Sequence, residues 1–153
     1  MKELSIRDPL TNLYNRRYFY HCLETEVQKA TRDRYPLSLI MMDINNFKEI
    51  NDRSGHHKGD ELLQQFAFFA EKLKMNLGFR FGGDEFVFLL PGHTEQTAFQ
   101  LAGRFDRYLR SWNDSVSLAY GTISLHEDAV DNIEYYLRLA DERMYTNKRH
   151  IKR

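Results

Sequence analysis

LGFRFGGDEFVFLL, residues Leu77 to Leu90, sets two runs rich in Phe, Val and Leu on either side of Gly82-Gly83-Asp84. Aromatic and β-branched runs around a Gly-rich break predict a β-hairpin. Glycine accepts the positive φ that tight turns require, so the glycine pair has a backbone reason. The adjacent carboxylates of Asp84 and Glu85, at the head of the second strand, have none. A solvated acidic turn accounts for Gly-Gly-Asp-Glu by itself, since turns favour such residues. The neighbouring segments have to separate the two readings.

On the N-terminal side, Leu37 to Met42 (LSLIMM) reads as a buried strand that delivers Asp43 at its C-terminal end. If that strand lies beside the hairpin, Asp43, Asp84 and Glu85 meet at one edge of a sheet. Carboxylates so placed repel unless a cation or lost protons relieve them. An all-oxygen ligand set with room for water and phosphate suits Mg²⁺ or Mn²⁺ better than zinc. Such a metal pair activates a hydroxyl and neutralises a leaving pyrophosphate. A solvated acidic rim is the alternative that spacing leaves open.

Further out, Asp8 to Arg17 (DPLTNLYNRR) is a polar lead-in in which Asn15 is placed to cap a helix. Phe19, Cys22, Leu23, Val27 and Ala30 recur at helical spacing from Arg16 to about Arg32, and Tyr35-Pro36 stops that helix. After Asp43, Phe47 and Ile50 face inward from a short helical turn, and Gly55 and Gly59 break the pattern. A helix is expected from about Asp60 to Lys74, another from near Thr94 whose apolar face includes Trp112, and a strand over Val116–Ser124. Asp131 with Glu134 resembles a capping box opening a last helix. Strands interleaved among helices, with no repeat or linker, predict one α/β-type unit over residues 1–153.

Composition narrows the classes. The 153 residues suffice for one domain that buries a core without disulfide or metal support. Lys plus Arg number 22 and so do Asp plus Glu, so no overall field draws in a nucleic acid polymer or an anionic membrane. No apolar run approaches the length of a bilayer span. The single cysteine, Cys22, sits on an apolar helical stripe, and no His/Cys spacing fits zinc. A reducing, cytoplasmic setting is the expectation.

Five segments in order carry a family resemblance: DPLTNLYNRRYF at Asp8–Phe19, DINNFK at Asp43–Lys48, Asn51-Asp52 with Gly55-His56 and Gly59-Asp60, GGDEF at Gly82–Phe86, and Ala140-Asp141 with Tyr145-Thr146-Asn147-Lys148. Together they resemble the GGDEF-domain diguanylate cyclases over nearly the whole chain. The resemblance implies an α+β fold similar to the palm of nucleotidyl cyclases and polymerases, a mainly antiparallel central sheet with helices packed around it. It implies condensation of two GTP into cyclic di-GMP with loss of two pyrophosphates. Each subunit of an antiparallel homodimer then holds one GTP, and 3′-hydroxyls attack the facing α-phosphates. Members usually carry an upstream sensor domain, so an excised catalytic domain is one expectation and a naturally bare one the other.

Carried over by position, the resemblance makes Asp43 a metal ligand through its carboxylate and Ile44 one through its carbonyl, with two Mg²⁺ or Mn²⁺ per site. Asp84 bridges metals and helps deprotonate the 3′-hydroxyl, and Glu85 is a further ligand. Gly82 and Gly83 let the backbone approach the nucleotide. Asn51 and Asp60 read guanine: a carboxylate accepts from N1–H and the amino group, which adenine cannot match. Turn and helix-cap roles are the plain alternatives for that pair. Backbone N–H groups of Asn46 and Phe47 cradle phosphate, while Lys48, placed with the catalytic set, and Lys148 face phosphates as point charges. Solvated surface lysines are the alternative. His56 reads as a structural hydrogen-bonding residue.

Four departures from the pattern matter. Asn45 stands where a second Asp is common, and Ala119-Tyr120-Gly121 replaces Ser-x-Gly. Lys152 stands where an arginine is usual and cannot reproduce its bidentate grip on phosphate. An Arg-x-x-Asp product-binding motif usually precedes the hairpin, and Leu73-Lys74-Met75-Asn76 lacks both of its charged residues. The second function class is a silent module that binds GTP or cyclic di-GMP as a regulatory domain. Silent members typically lose hairpin carboxylates or the guanine-reading pair, and this chain keeps all of them.

Overall fold

The computed structural model describes residues 5–151. Along the chain run β1 (Tyr14–Asn15), α1 (Arg16–Asp33), β2 (Leu37–Ile44), α2 (Phe47–Ser54), α3 (His56–Lys72), β3 (Gly78–Gly82), β4 (Glu85–Pro91), α4 (Glu95–Trp112), β5 (Leu118–Ser124) and α5 (Ile133–Ile151). The five strands form one sheet in the order β1-β3-β4-β2-β5. Only the short β1–β3 pair is parallel; the other three pairings are antiparallel. The mainly antiparallel α+β architecture is therefore the expected one.

Strand alternation sends side chains to two faces, and each face is covered. Leu39, Met41, Val87 and Leu89 pack against Phe19, Leu23 and Val27 of α1 and Leu137, Ala140 and Met144 of α5. Ile40, Met42, Phe86 and Phe88 pack against Leu63 and Phe66 of α3 and Ala102, Phe105 and Leu109 of α4. Phe66 anchors the second face, stacked on Phe86 at 4.1 Å and on Phe105 at 4.7 Å between ring centroids. Each such buried ring contributes about 1.5–3 kcal/mol over leaving it in water. Because β2 and β4 are buried on both sides, they read as continuous apolar runs rather than alternating ones.

Local signals set most helix ends. Asn15 caps α1 by accepting from the Tyr18 N–H, and Thr94 caps α4 by accepting from the Thr97 N–H. Arg34 closes α1 in the left-handed region, with its N–H on the Ala30 carbonyl.

Several boundaries differ from expectation. Strand β2 runs on to Ile44, because β4 and β5 supply partners for Asp43 from both sides. The short turn after it is a full helix, α2, and α3 begins at His56, so Gly55 breaks the chain but Gly59 does not. Gly59 sits buried where an added Cβ would fall 1.8 Å from the Asn51 Oδ1. That contact between α2 and α3 outweighs the cost, about 1 kcal/mol, of a glycine inside a helix. Helix α5 opens at Ile133, so Asn132 rather than Asp131 precedes it. Trp112 lies at the end of α4, 45 % exposed, instead of on its apolar face. Cys22 is buried, as its position on the stripe predicts.

Candidate active site

At the C-terminal end of β2, Asp43 stands opposite Glu85 on one side and Ala119 on the other. Residues in register on adjacent strands project to one face with Cβ atoms about 4.5–5.5 Å apart. Asp43 and Glu85 thus share a face, the one covered by α1 and α5. The hairpin is tight: Gly82 pairs with Glu85, so Gly83 and Asp84 form the turn, with an irregularity between Arg80 and Gly82. Asp84 accordingly lies in the turn itself and not in the second strand. Gly83 takes φ 47°, and nothing lies within 4 Å of an added Cβ at Gly82 or Gly83. The turn leaves open space where a ligand can meet bare backbone.

The electrostatics mark this corner. The Asp43 carboxyl is pushed up to about 6 by burial, opposed by Lys148 and reinforced by the charges of Asp84, Glu85 and Asp141. One Asp43 oxygen, Oδ1, is buried without a hydrogen-bond partner. Burial also raises Asp84, against hydrogen bonds from its own N–H and that of Ile44 and the charges of Lys148 and Arg80. A half-buried carboxylate pair with an unused oxygen is a poor structural device and a good cation receptor. Among the described residues no three His, Cys, Asp or Glu side chains are drawn close enough to hold an ion unaided. The donor set, all oxygen with an orphaned lone pair, fits a hard divalent cation that keeps other ligands from water or phosphate.

The remaining expected residues that the structure describes lie on or beside α2, α3 and α5. Asn46 takes φ 60° at the start of α2 and makes no side-chain cap, which leaves the first N–H groups of that helix, from Phe47 onward, without a capping side chain. Phe47 is half-buried against the second core face, and Lys48 is exposed. Asn51 faces Gly59 with its Oδ1 buried and unpaired. Asp60 is exposed in the second turn of α3, one residue past Gly59, so it is not a helix cap. Lys148, half-buried near the end of α5, acts on both Asp43 and Asp84. Lys152 lies outside the described residues. His56 opens α3 as an exposed residue. Asn45 donates through Nδ2 to the Ser117 hydroxyl at 2.9 Å, which ties β2 to the segment before β5.

Sequence reasoning missed a brace behind the hairpin. Arg80 donates through Nε to the Gly83 carbonyl at 2.9 Å and through Nη1 to both Asp8 oxygens at 3.2 Å. Asp8 also accepts from the Thr11 N–H and hydroxyl at 2.9 and 2.8 Å. Burial works against the Asp8 charge, but the Thr11 bonds and Arg80 outweigh it and hold the carboxyl below its usual range. The available signal was one charged residue inside an otherwise apolar strand, GFRFG.

Known proteins resemble the chain in sequence and in fold. The family model described as "Diguanylate cyclase, GGDEF domain" matches residues 5–153. Response regulator PleD of Caulobacter vibrioides is 36 % identical over 95 % of this chain and 34 % of its own length. A diguanylate cyclase of Vibrio cholerae is 36 % identical over 96 % of this chain and 48 % of its own length. The chain thus spans a third to a half of these curated relatives. The solved structure of the active GGEEF domain of a Vibrio cholerae diguanylate cyclase superposes with a TM-score of 0.78 at 35 % identity, covering 89 % of this chain and 91 % of that one. For fold alone, the GGDEF domain of DgcB from Caulobacter crescentus, solved with c-di-GMP, gives a TM-score of 0.80 at 22 % identity, over 98 % of this chain and 94 % of that one. With the five sequence segments present in order and the family model matching residues 5–153, the chain belongs to the GGDEF domain family.

Proposed function

We propose that this domain is a diguanylate cyclase: it condenses two GTP into cyclic di-GMP with release of two pyrophosphates. The observation that carries the reading is the Asp43–Glu85 row, with an unpaired buried oxygen beside the open Gly82-Gly83 turn. Relatives bearing the diguanylate cyclase name at 34–36 % identity supply the reaction class.

In this reading, the exposed first turn of α2 and the ammonium groups of Lys48 and Lys148 hold the triphosphate, and Lys152 adds a further cation. Asn51 and Asp60 take the guanine edge, Asn51 with an oxygen that has no protein partner. The 3′-oxygen of one GTP forms a bond to the α-phosphorus of the other, and the α–β phosphoanhydride breaks. The hydroxyl proton passes to Asp84. Asp43, the Ile44 carbonyl, Asp84 and Glu85 would hold two Mg²⁺ or Mn²⁺, which neutralise phosphate charge and acidify the hydroxyl. Each domain binds one GTP, so a homodimer completes the site. No helix among the described residues is long and apolar enough to cross a membrane, which accords with a role on a water-soluble nucleotide.

The test is incubation with GTP and Mg²⁺, following cyclic di-GMP by chromatography over a range of protein concentrations. A rate per subunit that rises with concentration supports paired sites. Asp84→Ala is expected to abolish product with the circular dichroism spectrum intact. Product formation at the wild-type rate by that variant would remove Asp84 from the mechanism, and GTP binding without turnover by the wild type would favour a silent regulatory module.

A further inference from the structure

Strand β5 ends the sheet and pairs only with β2, so its outer edge presents backbone groups to whatever lies beside it. Those groups are taken up by side chains, residue by alternate residue. The Leu118 N–H donates to Asp106 Oδ1 at 2.8 Å. The Tyr120 carbonyl accepts from Asn147 Nδ2 at 2.9 Å, and the Thr122 carbonyl accepts from Arg143 Nη1 at 2.7 Å. The Ser124 N–H donates to Glu95 Oε1 at 3.2 Å, and the same Glu95 carboxylate pairs with Arg143. Arg143 and Asn147 are four residues apart, hence on one face of α5. Gly121 lets that helix come in close, since an added Cβ would stand 2.3 Å from the Ala140 carbonyl oxygen and 2.4 Å from the Met144 nitrogen.

Helix α5 runs antiparallel to β5, so its C-terminal turns arrive at the end of β2 that carries Asp43. Lys148 follows Asn147 directly, and its charge acts on both Asp43 and Asp84. Late helical turns are ordinarily the first to fray, and a flexible lysine stem places its charge only as well as its backbone is held. We propose that Asn147, with Arg143 one turn earlier, is a positioning residue that fastens the end of α5 to the free edge of β5 and so sets the Lys148 ammonium over the Asp43–Asp84 corner. The inference rests on the reading that this corner receives the triphosphate of GTP.

The test is a double-mutant cycle read by nucleotide binding rather than turnover. Guanosine 5′-(α,β-methylene)triphosphate, in which the bond to be broken is blocked, is titrated with Mg²⁺ into the wild type, Asn147→Ala, Lys148→Ala and the double variant, with GMP as the control ligand. Asn147→Ala is expected to weaken triphosphate binding about fivefold, the worth of one ordinary hydrogen bond, and to leave GMP binding unchanged. In the Lys148→Ala background the same change is expected to have no effect, because Asn147 acts through that lysine. Asn147→Leu, of similar size, uncharged and unable to donate, serves as the second variant and is expected to match the alanine. Equal losses in both backgrounds, no loss at Asn147, or no loss at Lys148 would each overturn the inference. Absence of cyclic product from the wild type would count against the enzymatic reading alone, since binding is measured separately.

Discussion

Asp43 keeps an unpaired, buried carboxylate oxygen beside three other acids, a placement that costs the metal-free fold. With its carboxyl at about 6 in the folded chain and about 3.9 when unfolded, the folded protein binds more protons between those values, so stability falls as pH rises from about 4 to about 6. A difference of that size corresponds to about 3 kcal/mol, which the partial exposure of the group reduces to about 1–2 kcal/mol. Asp43→Asn is therefore expected to stabilise the chelator-treated protein by about 1–2 kcal/mol at pH 7.5 and to flatten the pH 4–6 limb of its urea midpoint. It should also abolish Mg²⁺-dependent synthesis; an unchanged midpoint would deny the strain. Base choice belongs to this scale too. Asp60 is exposed beside Gly59, against which Asn51 packs. Asp60→Ser is expected to lower the GTP/ATP ratio of kcat/KM by at least about tenfold, because the carboxylate proposed to accept from guanine N–H groups is lost. An unchanged ratio would exclude that contact.

The element that needs outside help is the hairpin of β3 and β4. Its turn residue Asp84 must hold one position, yet the turn has no side chain at Gly82 or Gly83 to pack. Arg80 supplies the rigidity by bridging the Gly83 carbonyl to Asp8 in the lead-in, and both side chains of that ion pair are only 17 % exposed. Asp8→Ala leaves the Arg80 charge without its partner and is expected to cost about 1–3 kcal/mol in thermal or urea unfolding. It should also lower kcat more than it raises KM for GTP, because the turn loosens while the phosphate cradle and guanine contacts proposed on α2 and α3 are left in place. Because the folded Asp8 carboxyl is depressed, its contribution is present above the unfolded pKa and is lost as pH falls through the folded one. A variant with wild-type kcat would confine the brace to stability.

For the whole molecule, the segment between α3 and β3 bears on regulation. Leu73 caps α3, Lys74 takes φ 59°, Met75 is 2 % exposed and Asn76 is exposed. The segment offers no arginine and no aspartate to a cyclic dinucleotide. Noncompetitive inhibition by cyclic di-GMP at low micromolar levels is accordingly expected to be absent, as measured by initial rates at several GTP concentrations. Such inhibition, or a product dimer docked on Leu73–Asn76 in a crystal, would contradict it.

By itself the sequence determined the helices, the hairpin and the identity of the carboxylates, since these follow from periodicity, capping residues and glycine placement within a few residues of one another. Asn15 caps the helix it was expected to cap, and Thr94 caps the helix expected to start near it, because a cap is a local bond. The resemblance supplied roles for the site residues that spacing alone left divided between a metal corner and a solvated rim. Only the tertiary structure placed Asp43 opposite Glu85, buried its oxygen, drew Asn51 against Gly59, and joined Arg80 to Asp8 and Asn147 to the Tyr120 carbonyl. Each of these contacts links residues that are distant along the chain or on different elements. Local preferences encode the elements, but register, desolvation and the fate of an edge strand arise when those elements meet.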